Sequence, residues 1–174
     1  VSAAFTHSRR IIGDVGRVFV DIGPGGLGAT RTTVAFANAL GFAKKIPVIG
    51  IHAFELIGFH VAQSAQKAVV CIRPAARPNY YIGLYDQGAL SDFSFVDVDA
   101  VQSFVRRHQH TASFAGKFSF VEVVGAKEGA WPVPVANSAS MDSFLAVALN
   151  KYNSGSRTTR VYPISENLAV DRKS

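Results

Sequence analysis

The chain has 174 residues, of which 48% are hydrophobic and 17% are charged. This composition is typical of one packed domain or two small lobes, and it excludes a disordered chain. No apolar run approaches the roughly 18 residues of a membrane span, and the single cysteine excludes an internal disulfide. We find no pattern of a secretory signal and therefore expect a cytoplasmic protein.

The formal net charge is +6, and the excess lies in the first half of the chain. Residues 1–87 hold nine Lys or Arg against four Asp or Glu, whereas residues 88–174 hold nine against eight. A basic surface favours anionic partners such as nucleic acid, nucleotide or an acidic protein face. The chain contains no run of five Lys or Arg, so a nucleic-acid-binding tail is not indicated. The alternative is an ordinary basic surface.

The first half of the chain alternates β and α patterns. In order, it predicts a short helix at 5–12, a strand at 17–22, a helix at 30–43, a strand at 48–51 and a helix at 53–63. Because a helix separates the first two strands, we expect them to be parallel.

The second half predicts more strands and two more helices. These are strands at 68–72, 80–85 and 93–96, a helix ending near 107 and capped by Asp97 or Asp99, a strand at 118–124, an extended linker at 131–135, a helix capped by Ser138 or Ser140 and ending near 152, and an extended segment at 160–164. Cys71 lies within the strand at 68–72, which favours a small core residue over a nucleophile. The final helix is expected to bury Met141, Phe144, Leu145, Val147, Ala148 and Leu149.

A glycine-rich loop lies between the first strand and the following helix. It reads Gly23-Pro24-Gly25-Gly26-Leu27-Gly28-Ala29-Thr30-Arg31. The glycines satisfy the dinucleotide pattern G-x-G-x-x-G, but no acidic residue follows the next strand to bind a ribose. The loop also resembles a P-loop, but Ala29 stands where that loop needs a lysine. A structural turn is the remaining interpretation, although Arg31 near a helix start would suit an anionic partner.

We find no catalytic or metal-binding constellation in the sequence. His52 and His60 are two helical turns apart, and His108 and His110 have no acidic or cysteine companions at ligand spacing. Ser138 and Ser140 have no neighbouring base. We therefore expect no catalytic residues and no metal site.

At the glycine loop the chain resembles the TsaB (YeaZ) family of tRNA threonylcarbamoyladenosine biosynthesis proteins. That family carries a G-P-G-S-F-T-G-x-R loop, an alanine-rich helix and a strand that opens with I-P and continues V-G-V. Here Ile46-Pro47-Val48-Ile49-Gly50-Ile51 follows the loop and its helix. Further matches lie at Asn79-Tyr80-Tyr81, Val123-Val124-Gly125 and Val161-Tyr162-Pro163-Ile164. Their order and spacing hold over about residues 17–170.

The resemblance implies an α/β fold of the actin-like ATPase (ribonuclease H-like) type, with a mixed sheet flanked by helices. Most of the family's segment upstream of the glycine loop has no counterpart here, so the first lobe is expected to be incomplete. We divide the chain into a partial N-terminal lobe, 1–66, with the glycine loop and a partner-facing helix, and a C-terminal α/β lobe, 67–174.

The resemblance also implies a non-catalytic scaffold and activator in forming threonylcarbamoyladenosine at tRNA position 37. Its implied partners are a TsaD-like catalytic subunit and a TsaE-like ATPase, with tRNA contacted indirectly, no membrane, and a homodimer as a further assembly. No cofactor is expected on this chain alone, and ATP or ADP would bind at the interface of the complex. The expected loop and partner-binding residues are Gly23, Pro24, Gly25, Gly26, Thr30, Arg31, Ala35, Asn38 and Ala39. The alternative is a nucleotide- or dinucleotide-binding α/β enzyme that uses the Gly23–Gly28 loop.

Overall fold

The computed structural model describes residues 7, 9–76, 78–118 and 134–165. Its helices and strands follow an α/β order. They are β1 (Val18–Gly23), α1 (Leu27–Lys44), β2 (Val48–His52), α2 (Ala53–Ala65), β3 (Ala68–Pro74), β4 (Tyr80–Asp86), β5 (Ala89–Val96), α3 (Val98–His108), β6 (Ala112–Ala115) and α4 (Met141–Asn153). Within the described residues, no helix has the length and apolarity that a membrane span requires.

β1 and β2 form a parallel pair, as predicted, with Val18 opposite Val48 and Val20 opposite Gly50. One face of this small sheet is covered by α1. The core on that face consists of Val20, Val34, Ala37, Val48 and Val161. Val161 lies more than 100 residues after β2. A segment distant in sequence therefore completes the core of the β1-α1-β2 unit.

The second sheet has four strands in the order β5-β4-β3-β6. β4 pairs antiparallel with both β3 and β5, whereas β6 runs parallel to β3. Successive β3 side chains point to opposite faces, as the pleat requires. Val69 and Cys71 pack in one core with α2, and Val70 and Ile72 pack in another with α3.

Helix α2 contributes to the cores of both sheets. Phe54 and Ile57 are buried in the core of the four-stranded sheet, whereas Leu56 packs with Ile51 of β2 and with α4. The helix begins with a reciprocal cap, in which His52 Nδ1 accepts a hydrogen bond from the Phe54 N–H. One helix therefore packs against both sheets.

Several predicted boundaries differ from the structure. α1 begins at Leu27 rather than at residue 30, because the loop ends at Gly26 and Gly28 adopts helical geometry. β5 begins at Ala89 rather than at residue 93, since the turn at Gln87 and Gly88 starts a hairpin. The strand β6 was not predicted.

The final helix agrees with its predicted cap, because Ser140 Oγ accepts a hydrogen bond from the Ser143 N–H. Its predicted buried face is partly wrong. Met141, Leu145 and Leu149 are 78%, 52% and 41% exposed, whereas Val147 and Ala148 are buried. The buried side chains Val147 and Ala148 are those that pack against α2 and β2.

Three predicted elements include residues outside the described part of the chain. Of the helix at 5–12, residues 5, 6 and 8 lie outside. Its second half is wrong, because residues 9–11 are not helical and a short 3-10 turn occupies Ile12–Asp14. The strand at 118–124 lies outside except for Phe118, and the linker at 131–135 lies outside except for its last two residues. The strand at 118–124 and the linker at 131–135 stay predictions.

Candidate functional site

The glycine loop leaves the carboxyl end of β1 through a turn that only glycine fits well. Gly23 has φ +93°, and a Cβ atom there would lie 3.1 Å from the Gly25 backbone nitrogen. The Gly23 N–H donates to Asp21 Oδ1 at 2.8 Å. Gly23 and Pro24 are buried, whereas Gly25 and Gly26 are exposed. Gly23 and Pro24 are therefore packed against the body of the protein, whereas the rest of the loop faces solvent.

Arg73, at the end of β3, anchors the loop from the second sheet. Its Nη1 donates to the Pro24 carbonyl oxygen at 2.8 Å, and its Nη2 donates to the Asn137 carbonyl oxygen at 3.3 Å. Burial lowers the pKa of Arg73, and the negative charge of Asp21 opposes that shift. Sequence analysis missed this role because residues far apart in the chain provide both acceptors.

The carboxyl group of Asp21 belongs to the same cluster. Although Asp21 remains accessible to solvent, partial burial raises its pKa, and the Gly23 N–H and the Arg73 charge oppose the increase. A carboxylate that already accepts a loop N–H would repel a phosphate there. The geometry therefore disfavours the phosphate-binding interpretations of this loop.

The remaining loop residues begin α1. The Thr30 N–H donates to the Gly26 carbonyl at 2.9 Å, and the Thr30 hydroxyl lies 3.3 Å from where a Cβ of Gly25 would stand. Arg31 is exposed and lies one turn inside the helix rather than at its start. Its position therefore gives less interaction with the helix dipole than the sequence predicted.

Four of the expected loop and partner-binding residues surround one open hollow. Arg31, Ala35, Asn38 and Ala39 line a space of about 630 Å³ between α1 and residues 159–163. The structure brings these four together and places Gly23–Gly26 apart from them, against Arg73. The expected site residues therefore form two groups, one in the glycine loop and one at the hollow, and the first turn of α1 joins them.

The outer side of α1 is unusually apolar for an exposed helix face. Phe36 is 53% exposed and Phe42 85%, and the small side chains Ala35 and Ala39 lie between them around the helix. Exposed apolar side chains that cluster on one face are typical of an interaction surface. We call this set the α1 outer face.

Asn38 connects α1 to the segment that closes the small sheet. Its Nδ2 donates to the Val161 carbonyl at 2.8 Å, and its Oδ1 accepts from the Val161 N–H at 3.0 Å. The segment also pairs with both strands, because the Val48 N–H donates to the Thr158 carbonyl and the Ile164 N–H donates to the Ile22 carbonyl. We call residues 158–164 the closing segment.

A histidine and two serines meet between α2 and α4. His60 Nδ1 lies 2.9 Å from Ser143 Oγ, and Ser140 Oγ donates to Ser143 Oγ at 3.0 Å. The sequence pattern indicated no base near Ser138 or Ser140, because His60 approaches from 80 residues earlier. Ser143 is only 4% exposed, so this chain of hydrogen bonds joins the two helices rather than presenting a nucleophile to solvent.

Cys71 occupies the core of the four-stranded sheet, as predicted. It is fully buried, and burial raises the pKa of its thiol to about 12. Within the described residues, no three His, Cys, Asp or Glu side chains are grouped so that they could hold a metal ion.

Comparison with known proteins gives a family and a fold. A family model described as "TsaD: tRNA N6-adenosine threonylcarbamoyltransferase" matches residues 1–123. No curated protein matches the chain.

Two solved structures are similar over nearly the whole chain. YeaZ from Pseudomonas aeruginosa matches with a TM-score of 0.68 and 16% identity, over 92% of this chain and 79% of that one. A crystal structure of an uncharacterized protein with similarity to peptidase YEAZ, from the same organism, matches with a TM-score of 0.68 and 17% identity, over 94% and 79%. These likenesses confirm the predicted actin-like α/β fold. The chain therefore belongs to the TsaD family and has the fold of its YeaZ-like (TsaB-like) proteins.

Proposed function

We propose that this protein is a non-catalytic scaffold or activator subunit in the formation of threonylcarbamoyladenosine at tRNA position 37. Membership of the TsaD family supports a role in this tRNA modification. In the proposal the chain pairs with a TsaD-like catalytic subunit in the cytoplasm, and a TsaE-like ATPase completes the complex. ATP or ADP would bind at the interface of that complex.

The α1 outer face is the observation that carries the pairing. α1 has 18 residues, and its inner side packs on β1 and β2 through Val34 and Ala37. Its outer side leaves Phe36 and Phe42 in solvent, separated by small alanines that allow a second helix to approach closely. A partner helix packed there would bury both rings. Arg31, Ala35 and Ala39 are the proposed contacts.

The loop residues have a supporting part in this proposal. Gly23 and Pro24 are buried, and the Pro24 carbonyl accepts a hydrogen bond from Arg73, so they set the direction in which α1 leaves the sheet. The division into a lobe at 1–66 and a lobe at 67–174 belongs to the same proposal.

Co-purification with the TsaD-like subunit tests the pairing. We expect Ala39→Glu to weaken the complex at least tenfold, because it places a carboxylate in an apolar contact. Ala100→Glu is the matched control, since Ala100 is also exposed in a helix and lies in the first turn of α3, where a carboxylate is favourable. Equal affinities for wild type and Ala39→Glu would remove α1 from the interface.

The non-catalytic role needs a separate measurement. With an activated threonylcarbamoyl donor supplied to both reactions, we expect the isolated chain to form no modified nucleoside from unmodified tRNA. The mixture with the catalytic subunit and the ATPase should form it, as measured by mass spectrometry of digested tRNA. Product formed by the chain alone would overturn the scaffold role.

The alternative function is a nucleotide- or dinucleotide-binding enzyme that uses the Gly23–Gly28 loop. Calorimetry of the isolated chain with ATP, ADP and NAD distinguishes the two functions. Submillimolar binding that disappears in Arg31→Ala would favour the alternative. The carboxylate of Asp21 beside the Gly23 N–H leads us to expect no such binding.

A further inference from the structure

A small pocket lies where residues of both sheets meet the first turns of α2 and α4. Its volume is about 190 Å³. Asp21 of β1 and Arg73 of β3 line it, and the apolar side chains Leu56, Ile57 and Phe144 lie beside them. The pocket therefore combines one negative charge, one positive charge and an apolar wall.

The two charges share this pocket but do not pair with each other. Asp21 and Arg73 are close enough for each charge to oppose the pKa shift that burial gives the other. No Asp21 oxygen lies within 4.0 Å of an Arg73 nitrogen, however, and the ion pair found among the described residues joins Lys151 to Glu55. The gap between the unlike charges leaves room for a molecule that contacts both.

Both side chains keep hydrogen-bonding capacity that the fold does not use. Arg73 donates one N–H from each terminal nitrogen, to the Pro24 and Asn137 carbonyls, and each of these nitrogens has a second N–H. The Arg73 Nε is buried and has no hydrogen-bond partner. Asp21 accepts the Gly23 N–H through Oδ1, and its Oδ2 accepts no hydrogen bond from a described residue. A ligand can therefore bind to both groups without displacing the contacts that hold the glycine loop.

The fold does not require the charge on Asp21. Partial burial raises the pKa of its carboxyl, so the ionised form destabilises the folded state at neutral pH. An asparagine side chain could accept the same hydrogen bond from the Gly23 N–H without that cost. A residue that lowers stability in this way is typical of a binding site.

We propose that this pocket binds the zwitterion of a free α-amino acid with a small apolar side chain. The ammonium group would donate to Asp21, the carboxylate would accept from Arg73, and the side chain would pack against the apolar wall. A simple anion would meet the Asp21 carboxylate and a simple cation would meet the Arg73 guanidinium, so either would bring like charges together. The pocket shares no lining residue with the hollow at α1, so the inference goes beyond the proposed function and does not depend on it.

An NMR titration of the isotope-labelled full chain with L-valine at neutral pH tests the site. We expect saturable shifts at the amides of Gly23, Ala53 and Met141, which lie at the pocket. N-acetyl-L-valine lacks the ammonium group and L-valinamide lacks the carboxylate, so each should bind wild type at least tenfold more weakly than L-valine does. The L-valinamide titration replaces an Arg73 variant, since Arg73 also holds the glycine loop.

The variant Asp21→Asn tests the protein side of the same contact. It should bind L-valine at least tenfold more weakly than wild type, but N-acetyl-L-valine no more weakly, because that ligand has no ammonium group to lose. Asp99→Asn is the matched control, since it removes the same charge from the exposed first turn of α3, and its affinity for L-valine should stay within twofold of wild type. Circular dichroism melting reports whether each variant is folded.

The absence of shifts at the pocket, or an equal loss of affinity in Asp99→Asn, would overturn the proposal. Equal affinities of wild type for L-valine and N-acetyl-L-valine would identify an anion site, and equal affinities for L-valine and L-valinamide would identify a cation site. Either result would also reject a site for a zwitterion. Pairing with the TsaD-like subunit is measured by co-purification, so the two proposals stand or fall separately.

Discussion

The two sheets of this protein are completed in different ways. Both faces of the four-stranded sheet are covered by helices that are close in sequence, α2 from just before β3 and α3 from just after β5. The two-stranded sheet has α1 on one face, but its core also needs Val161, which is 123 residues from Asn38, its hydrogen-bonding partner in α1. The helices that cover the larger sheet are therefore its neighbours in sequence, whereas the core of the smaller sheet depends on a contact across 123 residues.

This difference extends to the helices. α3 buries Val101, Phe104 and Val105 and exposes charged residues, so its packing is complete within the chain. α1 buries Val34, Ala37 and Gly41 and exposes two phenylalanines. The region that relies on a distant segment is also the one that exposes two phenylalanine rings.

Breaking the core of the larger sheet should have the largest effect on stability. Phe54 is fully buried between α2 and the four-stranded sheet, and we expect Phe54→Ala to lower the free energy of unfolding by about 3–5 kcal/mol. Urea denaturation followed by circular dichroism measures the change. Phe42→Ala is the matched control, since that ring is 85% exposed and its loss should change stability by less than about 0.5 kcal/mol. Equal effects would contradict the assigned burial.

The close approach of α1 to β2 predicts the next largest effect. A Cβ atom on Gly41 would collide with Val48 Cγ2, so Gly41→Ala should destabilise the protein by about 1–3 kcal/mol even though alanine favours helices. Gly28 in the same helix has no atom within 4 Å of the position that a Cβ would occupy, and Gly28→Ala should stabilise the protein by about 0.5 kcal/mol. Thermal melting of both variants measures these opposite signs, and a gain in stability from Gly41→Ala would refute the contact.

Loosening the closing segment should cost less. Asn38→Ala removes both hydrogen bonds to the Val161 backbone, and we expect a loss of about 1–2 kcal/mol. Amide exchange at Val161 should accelerate more than exchange at Cys71, because the four-stranded sheet does not depend on this contact. Thr33→Ala, which removes an exposed hydroxyl contact in the same helix, is the control. Equal acceleration at the two amides would mean that the sheets unfold together.

The smallest expected effect is a pH dependence at the junction of the two sheets. The pKa of Asp21 is raised in the folded protein, so its protonated form is favoured there and ionisation lowers stability. Asp21→Asn should therefore be more stable than wild type at neutral pH, and the difference should vanish as the pH falls below the ordinary value of 3.8. Urea titrations at pH 3.5 and 7 test this sign, and a larger advantage at the lower pH would contradict it.

Local patterns were enough to predict β1 to β4, the parallel pairing of β1 with β2 and the burial of Cys71. β6 was missed because Ala-Ser-Phe-Ala carries little strand signal and owes its conformation to pairing with β3. The apolar side chains of α4 lie around much of that helix, so periodicity alone could not tell which stripe meets α2 and β2.

The candidate site was less predictable than the fold, because its contacts are long-range. The glycine loop was recognised from its sequence motif. The hydrogen bond that holds it in place joins Pro24 to Arg73, which is 49 residues away. The hydrogen bonds between Asn38 and Val161 and between His60 and Ser143 also join distant positions. No local pattern specifies such pairs, because their members come together only after the chain has folded.

The closing segment also has a consequence for synthesis on the ribosome. β1, α1 and β2 are made early, but the backbone groups of Val161 that Asn38 binds are made 123 residues later than Asn38. At about 5–20 residues per second, this delay is roughly 6–25 seconds. Throughout that time the nascent chain holds the inner side of α1 without Val161, so the helix that we propose as the docking face for another subunit has an incomplete core until the closing segment is made.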